Sequence, residues 1–171
     1  MKTHYKGKFL SLCETDDGFE YLHEHRLNNR ELVACLLVSG HNTEIFGIRS
    51  EVCPPHQVGH HDASLTGGVD PGNTIIDTVC KEVKEESGYT ITKDELLSLG
   101  MVYQGKMTDT RVHLYLADCT GKDQDELNLD DSFEKTSTFR WGSFKEAVAT
   151  PDPIIHSLIL RYIITRDYID P

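Results

Sequence analysis

From Tyr5 to Phe46 the chain sets short runs of β-branched, aromatic and aliphatic residues between clusters of turn formers, a pattern that predicts strand rather than helix. Residues 8–13 and 19–23 flank Asp16-Asp17-Gly18, and residues 32–38 and 44–48 flank Ser39-Gly40-His41-Asn42. Both turn sequences tolerate the positive φ that tight connections need, so the runs read as strands joined by hairpins. Residues 53–64 carry paired prolines, a glycine and three histidines without periodicity, and read as an irregular loop.

A glycine-rich turn over 67–72 leads into a strong helical signal. Thr74 and Asp77 form a T-x-x-D cap, Ile76, Val79, Cys80 and Val83 recur at helical spacing, and Gly88 supplies a left-handed stop, which predicts a helix over 74–87. Strands are predicted at 97–104, 111–117 and 136–141, the last preceded by an acidic loop over 121–135. A short helix at 143–149 precedes a terminal one at 152–166, striped by Ile155, Leu158, Ile159 and Tyr162. This order contains no regular βαβ alternation. The expectation is an α+β fold with a mixed central sheet between helices, residues 1–30 forming an N-terminal β-hairpin extension and residues 31–171 the main domain.

Composition narrows the chemistry. The 171 residues suit one domain, and 28 acidic against 17 basic residues give a formal net charge of −11. That balance opposes unassisted binding to nucleic-acid polymers or anionic membranes, so an anionic substrate would need a bridging cation. The five cysteines form no C-x-x-C pair, and no apolar run is long enough for a signal peptide or a bilayer span. A reduced, cytoplasmic protein is expected.

On the helix after Thr74, Glu82, Glu85 and Glu86 fall at i, i+3 and i+4 and so share one face, clear of the Ile76/Val79/Cys80/Val83 stripe. They lie in the last turn, where the helix dipole disfavours each anion by about 0.3–1 kcal/mol. One reading is a solvated acidic face relieved by Lys81 and Lys84. The other is a divalent-cation site, whose hard carboxylate oxygens suit Mg²⁺ or Mn²⁺ and whose ion removes the repulsion.

The stretch GGVDPGNTIIDTVCKEVKEESGY closely resembles the Nudix box, G-x5-E-x7-R-E-U-x-E-E-x-G-U, with Gly67, Glu82, Val83, Glu85, Glu86, Gly88 and Tyr89 in register. Asn73 and Lys81 depart from it, standing where glutamate and arginine are usual, and either Gly67 or Gly68 can fill the first glycine's role. The resemblance implies a Nudix-like α/β/α sandwich and a hydrolase acting on a diphosphate that links a nucleoside to a group X. It implies Glu82, Glu85, Glu86 and the Gly67 carbonyl as metal ligands and Mg²⁺ as cofactor, Mn²⁺ being an alternative. Glu85 and Glu86 are expected to be catalytic. The general base is sought on the helix or in the loop before the last strand, where Glu126, Asp130, Asp131 and Glu134 are candidates and Glu134 is the first choice.

Outside the box, YKGKFLSLCE with GFEYLHEHR, and GIRSEVCPP with LTGGVDPG, look like the N-terminal hairpin and the arginine-bearing strand of the ADP-ribose and nucleoside-diphosphate-sugar pyrophosphatases. ADP-ribose or a nucleotide sugar is the substrate this implies. Ser64 and Thr66 stand where that subfamily usually has glutamate and proline. Substrate contacts are expected from Arg49 to phosphate, from Gly68, and from an aromatic, Phe19 or Tyr21, near the nucleoside. Tyr103 and Trp141 read as core, and His60, His61 and Asp62 as exposed loop residues. A homodimer with the hairpin at its interface is expected. A nucleoside-triphosphate pyrophosphohydrolase and a catalytically silent nucleotide-binding scaffold are the alternatives.

Overall fold

The computed structural model describes residues 1–25, 30–40, 44–56, 59–127, 129 and 134–169, with the backbone alone at 56, 134 and 167–169. The three N-terminal strands are β1 (Lys2–Lys6), β2 (Leu10–Glu14) and β3 (Glu20–Glu24). Of the seven that follow, β4 (Glu31–Ser39), β5 (Ile45–Val52), β6 (His60–Ala63) and β7 (Leu65–Gly68) precede the helix α1 (Ile75–Ser87). After it come β8 (Leu96–Tyr103), β9 (Arg111–Asp118), β10 (Thr138–Gly142), α2 (Phe144–Val148) and α3 (Pro153–Ile169).

β4 holds the centre because its apolar run leaves no polar face. Val33, Cys35 and Leu37 are buried on one side with Val79 and Val83 of α1, and Ala34, Leu36 and Val38 on the other with Ile155, Leu158 and Ile159 of α3. The sheet runs β10-β5-β4-β9-β8, with β4 and β9 parallel and the other pairs antiparallel. This is the α/β/α sandwich on a mixed sheet that the pattern predicts.

β4 and β5 pair only through Val38–Phe46 and Ser39–Ile45, then splay apart. Into the gap come β6, on the edge of β5, and β7, on the edge of β4. Ser64, between the two, gives its backbone N–H and its Oγ–H to Asp152 Oδ2 at 2.7 and 2.6 Å, so the backbone group leaving one ladder is satisfied by a side chain. The irregular loop expected over 53–64 therefore contains a 3₁₀ turn, Pro54–His56, and a strand, and Gly67 and Gly68 lie in β7 rather than in the turn. Periodicity missed β6 because its exposed end carries histidine and aspartate, with no apolar alternation to read.

The N-terminal strands form a separate three-stranded antiparallel sheet in the order β1-β2-β3. Sequence pattern yields only the β2–β3 hairpin, because every residue of β1 is exposed and burial imposes no alternation on it. The sheet joins the main body at Leu22, whose N–H donates to the Met107 carbonyl at 2.8 Å and whose carbonyl accepts the Asp109 N–H at 3.3 Å. Among the described residues no helix is long and apolar enough to cross a membrane. All five cysteines are free thiols.

Candidate active site

The helix that carries the glutamates is fixed at both ends. Thr74 Oγ1 accepts the Asp77 N–H at 3.2 Å, as the cap pattern predicts, and Gly88 ends the helix at φ +77°. A Cβ at Gly88 would lie 2.1 Å from the Asp125 carbonyl oxygen, so the 121–127 segment closes over the helix end only because this residue has none. Lys84 is spent here, bonding the Gly88 carbonyl, Thr90 Oγ1 and Asp125, and it does not relieve the glutamate face.

With the helix so placed, Glu82 runs across the Gly67 backbone. A Cβ on Gly67 would fall 2.1 Å from Glu82 Cδ and 2.5 Å from its Oε1, so glycine is needed for the approach and not for its backbone angle. Glu85 receives Lys81 Nζ at 3.0 Å, which raises the Lys81 pKa, and the same ammonium stands 3.8 Å from Glu82.

Glu86 departs from expectation. It follows Val79 and Val83 onto the buried side of α1 and is only 3% exposed, so the carboxylates do not all stand clear of the apolar stripe. Its Oε1 meets Arg49 Nη1 and its Oε2 accepts the Thr66 N–H at 3.1 Å. Burial pushes the Glu86 carboxyl well above the usual range; Arg49 and the Thr66 N–H pull it back, while Glu82 and Glu51 push it further up.

The three box carboxylates do not form a closed cluster. Among the described residues, the set of three potential ligands whose atoms fall within 4.8 Å of one another is His4, Glu14 and Glu20, on the outer sheet; Glu85 and Glu86 instead stand on Lys81 and Arg49. The donor set at the box is nonetheless hard oxygen on one helix turn beside a cradle that a Cβ would fill, which fits a divalent cation.

Residues 28–163 match the family model of the NUDIX domain. The chain belongs to the NUDIX family. Two solved structures are similar in fold. One is entitled "Crystal structure of ADP compounds hydrolase", with TM-score 0.70 and 14% identity over 99% of this chain and 92% of that one. The other is a C. elegans Ap4A hydrolase binary complex, with TM-score 0.59 and 20% identity over 80% of this chain and 97% of that one. No curated protein matches the sequence. The Nudix family generally works with divalent metal ions.

In this Nudix hydrolase the other residues singled out by sequence are scattered. Arg49 is 5% exposed, and its guanidinium bonds Glu86, Glu51 at 3.0 Å and Ser137 Oγ at 3.2 Å rather than facing solvent. Gly68 pairs with Leu32 at the start of β4. Phe19, 39% exposed, has Lys106 Nζ 5.8 Å from its ring centroid, and the Tyr21 hydroxyl donates to Met1 Sδ, both on the outer sheet. Glu134 begins the 3₁₀ turn Glu134–Thr136, Glu126 is exposed, and Asp130 and Asp131 lie outside the described residues. Trp141 packs as core, its Nε1–H on Tyr89 Oη at 3.2 Å, whereas Tyr103 is 67% exposed and not core. His60 donates its Nε2–H to the Thr136 carbonyl at 3.0 Å, and Asp62 pairs with Arg140 at 2.6 Å.

Two depressions have no counterpart in the sequence pattern. One, of about 530 Å³, lies at the seam with the outer sheet and is lined by Arg30, Glu31, Tyr103, Thr108, Asp109 and Arg111. Arg111 and His113 both hold Glu31, and Arg30 Nε stands 3.1 Å from Asp109. The other, of about 250 Å³, includes Glu51, His61, Ser64, Thr66, Gln104 and Asp152. These residues come from separate strands and turns, and no local spacing announces them; the doublet of charges at Arg49 and Glu51 is the nearest thing to a signal.

Proposed function

We propose that this Nudix hydrolase cleaves the diphosphate of a nucleoside diphosphate linked to X, with ADP-ribose or a nucleotide sugar as substrate and Mg²⁺, or Mn²⁺ in its place, as cofactor. The observation that carries the reading is Glu82 seated on Gly67 with Glu85 and Glu86 on the same turn of the helix. Glu82, Glu85, Glu86 and the Gly67 carbonyl would hold the metal. A divalent ion held there would supply Lewis-acid withdrawal of charge from phosphorus and a more acidic attacking water. Glu134 is the proposed base: its backbone lies three residues before Ser137, which Arg49 bonds, so the loop carrying it is tied to the guanidinium that holds Glu86. Phe19 or Tyr21 is proposed to meet the nucleoside, and Arg49 and Gly68 to lie on the phosphate side.

The match to the structure entitled ADP compounds hydrolase takes in nearly the whole chain, outer sheet included, while the Ap4A hydrolase match leaves a fifth of it out, and this favours an ADP-linked substrate. One observation favours the silent scaffold instead: Lys81 occupies Glu85 where the box usually has arginine. A product-resolved screen over ADP-ribose, nucleotide sugars, dinucleoside polyphosphates and triphosphates, with Mg²⁺ or Mn²⁺, separates the readings. Release of a nucleoside monophosphate and a phosphorylated X is expected. Pyrophosphate release would support the triphosphate reading, and binding without turnover the scaffold.

A further inference from the structure

We propose that Glu51 is a positioning residue that takes over Arg49 when a cation binds, freeing Glu86 to act as a ligand, so that metal affinity at the box depends on a carboxylate outside it. This rests on the metal-dependent reading above. Arg49 Nη1 is shared, bonding Glu86 Oε1 and standing 3.0 Å from Glu51 Oε2. The two carboxylates are unequal: the Glu86 side chain is 3% exposed and that of Glu51 31%, at the edge of the 250 Å³ depression.

A divalent ion on Glu86 would meet a buried guanidinium at the same oxygen. Arg49 cannot lose its proton, so it must keep a counter-charge or move to one. Glu51 already touches the nitrogen that has to let go. The guanidinium also has capacity to spare, because its buried Nε–H lacks a partner among the described residues, and a fork donor with an unused arm can form a two-point contact with a carboxylate. Ser137 holds Nη2 at 3.2 Å, which makes the movement a turn about that bond rather than a departure.

The test is calorimetric titration of Mg²⁺ into the 171-residue chain without substrate, in a double-mutant cycle. Glu51→Gln should weaken Mg²⁺ binding by about 10- to 100-fold, as removal of a ligand's supporting partner does. In an Arg49→Met background the same substitution should change affinity by no more than about twofold, since there is no guanidinium to receive. Where Arg49→Met does not fold by circular dichroism, Arg49→Gln, which keeps a donor toward Glu86, serves as the neutral background. Equal weakening in both backgrounds would mean that Glu51 acts as a remote charge and would overturn the proposal. So would unchanged affinity in Glu51→Gln alone. If the wild-type protein itself takes up no Mg²⁺, the metal-dependent reading falls and this inference with it.

Discussion

Gly67 contributes no side chain to the proposed site, yet its missing Cβ leaves room for the Glu82 carboxylate. Because the three atoms nearest an added methyl all belong to the Glu82 side chain, Gly67→Ala should displace that carboxylate while leaving the sheet intact. We expect hydrolysis to fall by about two orders of magnitude, as small displacements of catalytic groups do, with the melting temperature little changed; a variant that loses stability and activity together would show that Gly67 serves the fold. At this scale the sequence was informative where partners are local. The spacing of Glu82, Glu85 and Glu86 put them on one turn, and Lys81–Glu85 follows from helical geometry. The burial of Glu86 and its pairing with Arg49 were illegible because that contact joins α1 to β5, which no periodicity relates, whereas Arg49 and Glu51 stand two apart on β5 and share a strand face.

At the scale of elements, α1 and the long strands were legible from their patterns, whereas β1 and β6 were not, since both are polar and lie outside the main core. The stop of α1 is where a local rule and a tertiary contact coincide. Gly88→Ala should lower stability by about 1–2 kcal/mol for the left-handed angle alone, and more for the Cβ that would meet the Asp125 carbonyl, measurable by urea unfolding. The 3₁₀ turn Lys93–Glu95 offers a pH test. Hydrogen bonds from Lys122 and from the Thr92 N–H and hydroxyl hold Glu95 at about 2, against an ordinary 4.5. A carboxyl depressed on folding stabilises above its unfolded value and ceases to as pH falls through its folded one. The difference in melting temperature between wild type and Glu95→Gln should therefore be present at neutral pH and shrink between pH 4.5 and about 2. A difference independent of pH would assign the effect to packing.

For the whole molecule, the outer sheet exposes Tyr5, Phe9, Leu10 and Phe19, and among the described residues it bonds to the main body at Leu22 and His23. A two-fold dimer that buries this sheet, with each copy's aromatics near a nucleoside, is the proposed arrangement. Deleting residues 1–27 should then give a monomer with weakened nucleotide binding by light scattering and calorimetry, and a truncated protein that keeps both dimer and affinity would refute it. The sandwich itself was legible, since β4 reads as a continuous apolar run that requires helices on both faces. The seam depression was not, being lined by residues from distant parts of the chain. The proposed role of the box glutamates, holding a metal for hydrolysis of a nucleoside diphosphate derivative, is tested most directly by the rate of nucleoside monophosphate release from ADP-ribose as a function of Mg²⁺, in wild type and Glu85→Gln. Turnover should saturate with Mg²⁺, vanish with chelator and be lost in the variant; turnover independent of Mg²⁺, or equal in the two proteins, would show that these carboxylates hold no catalytic metal.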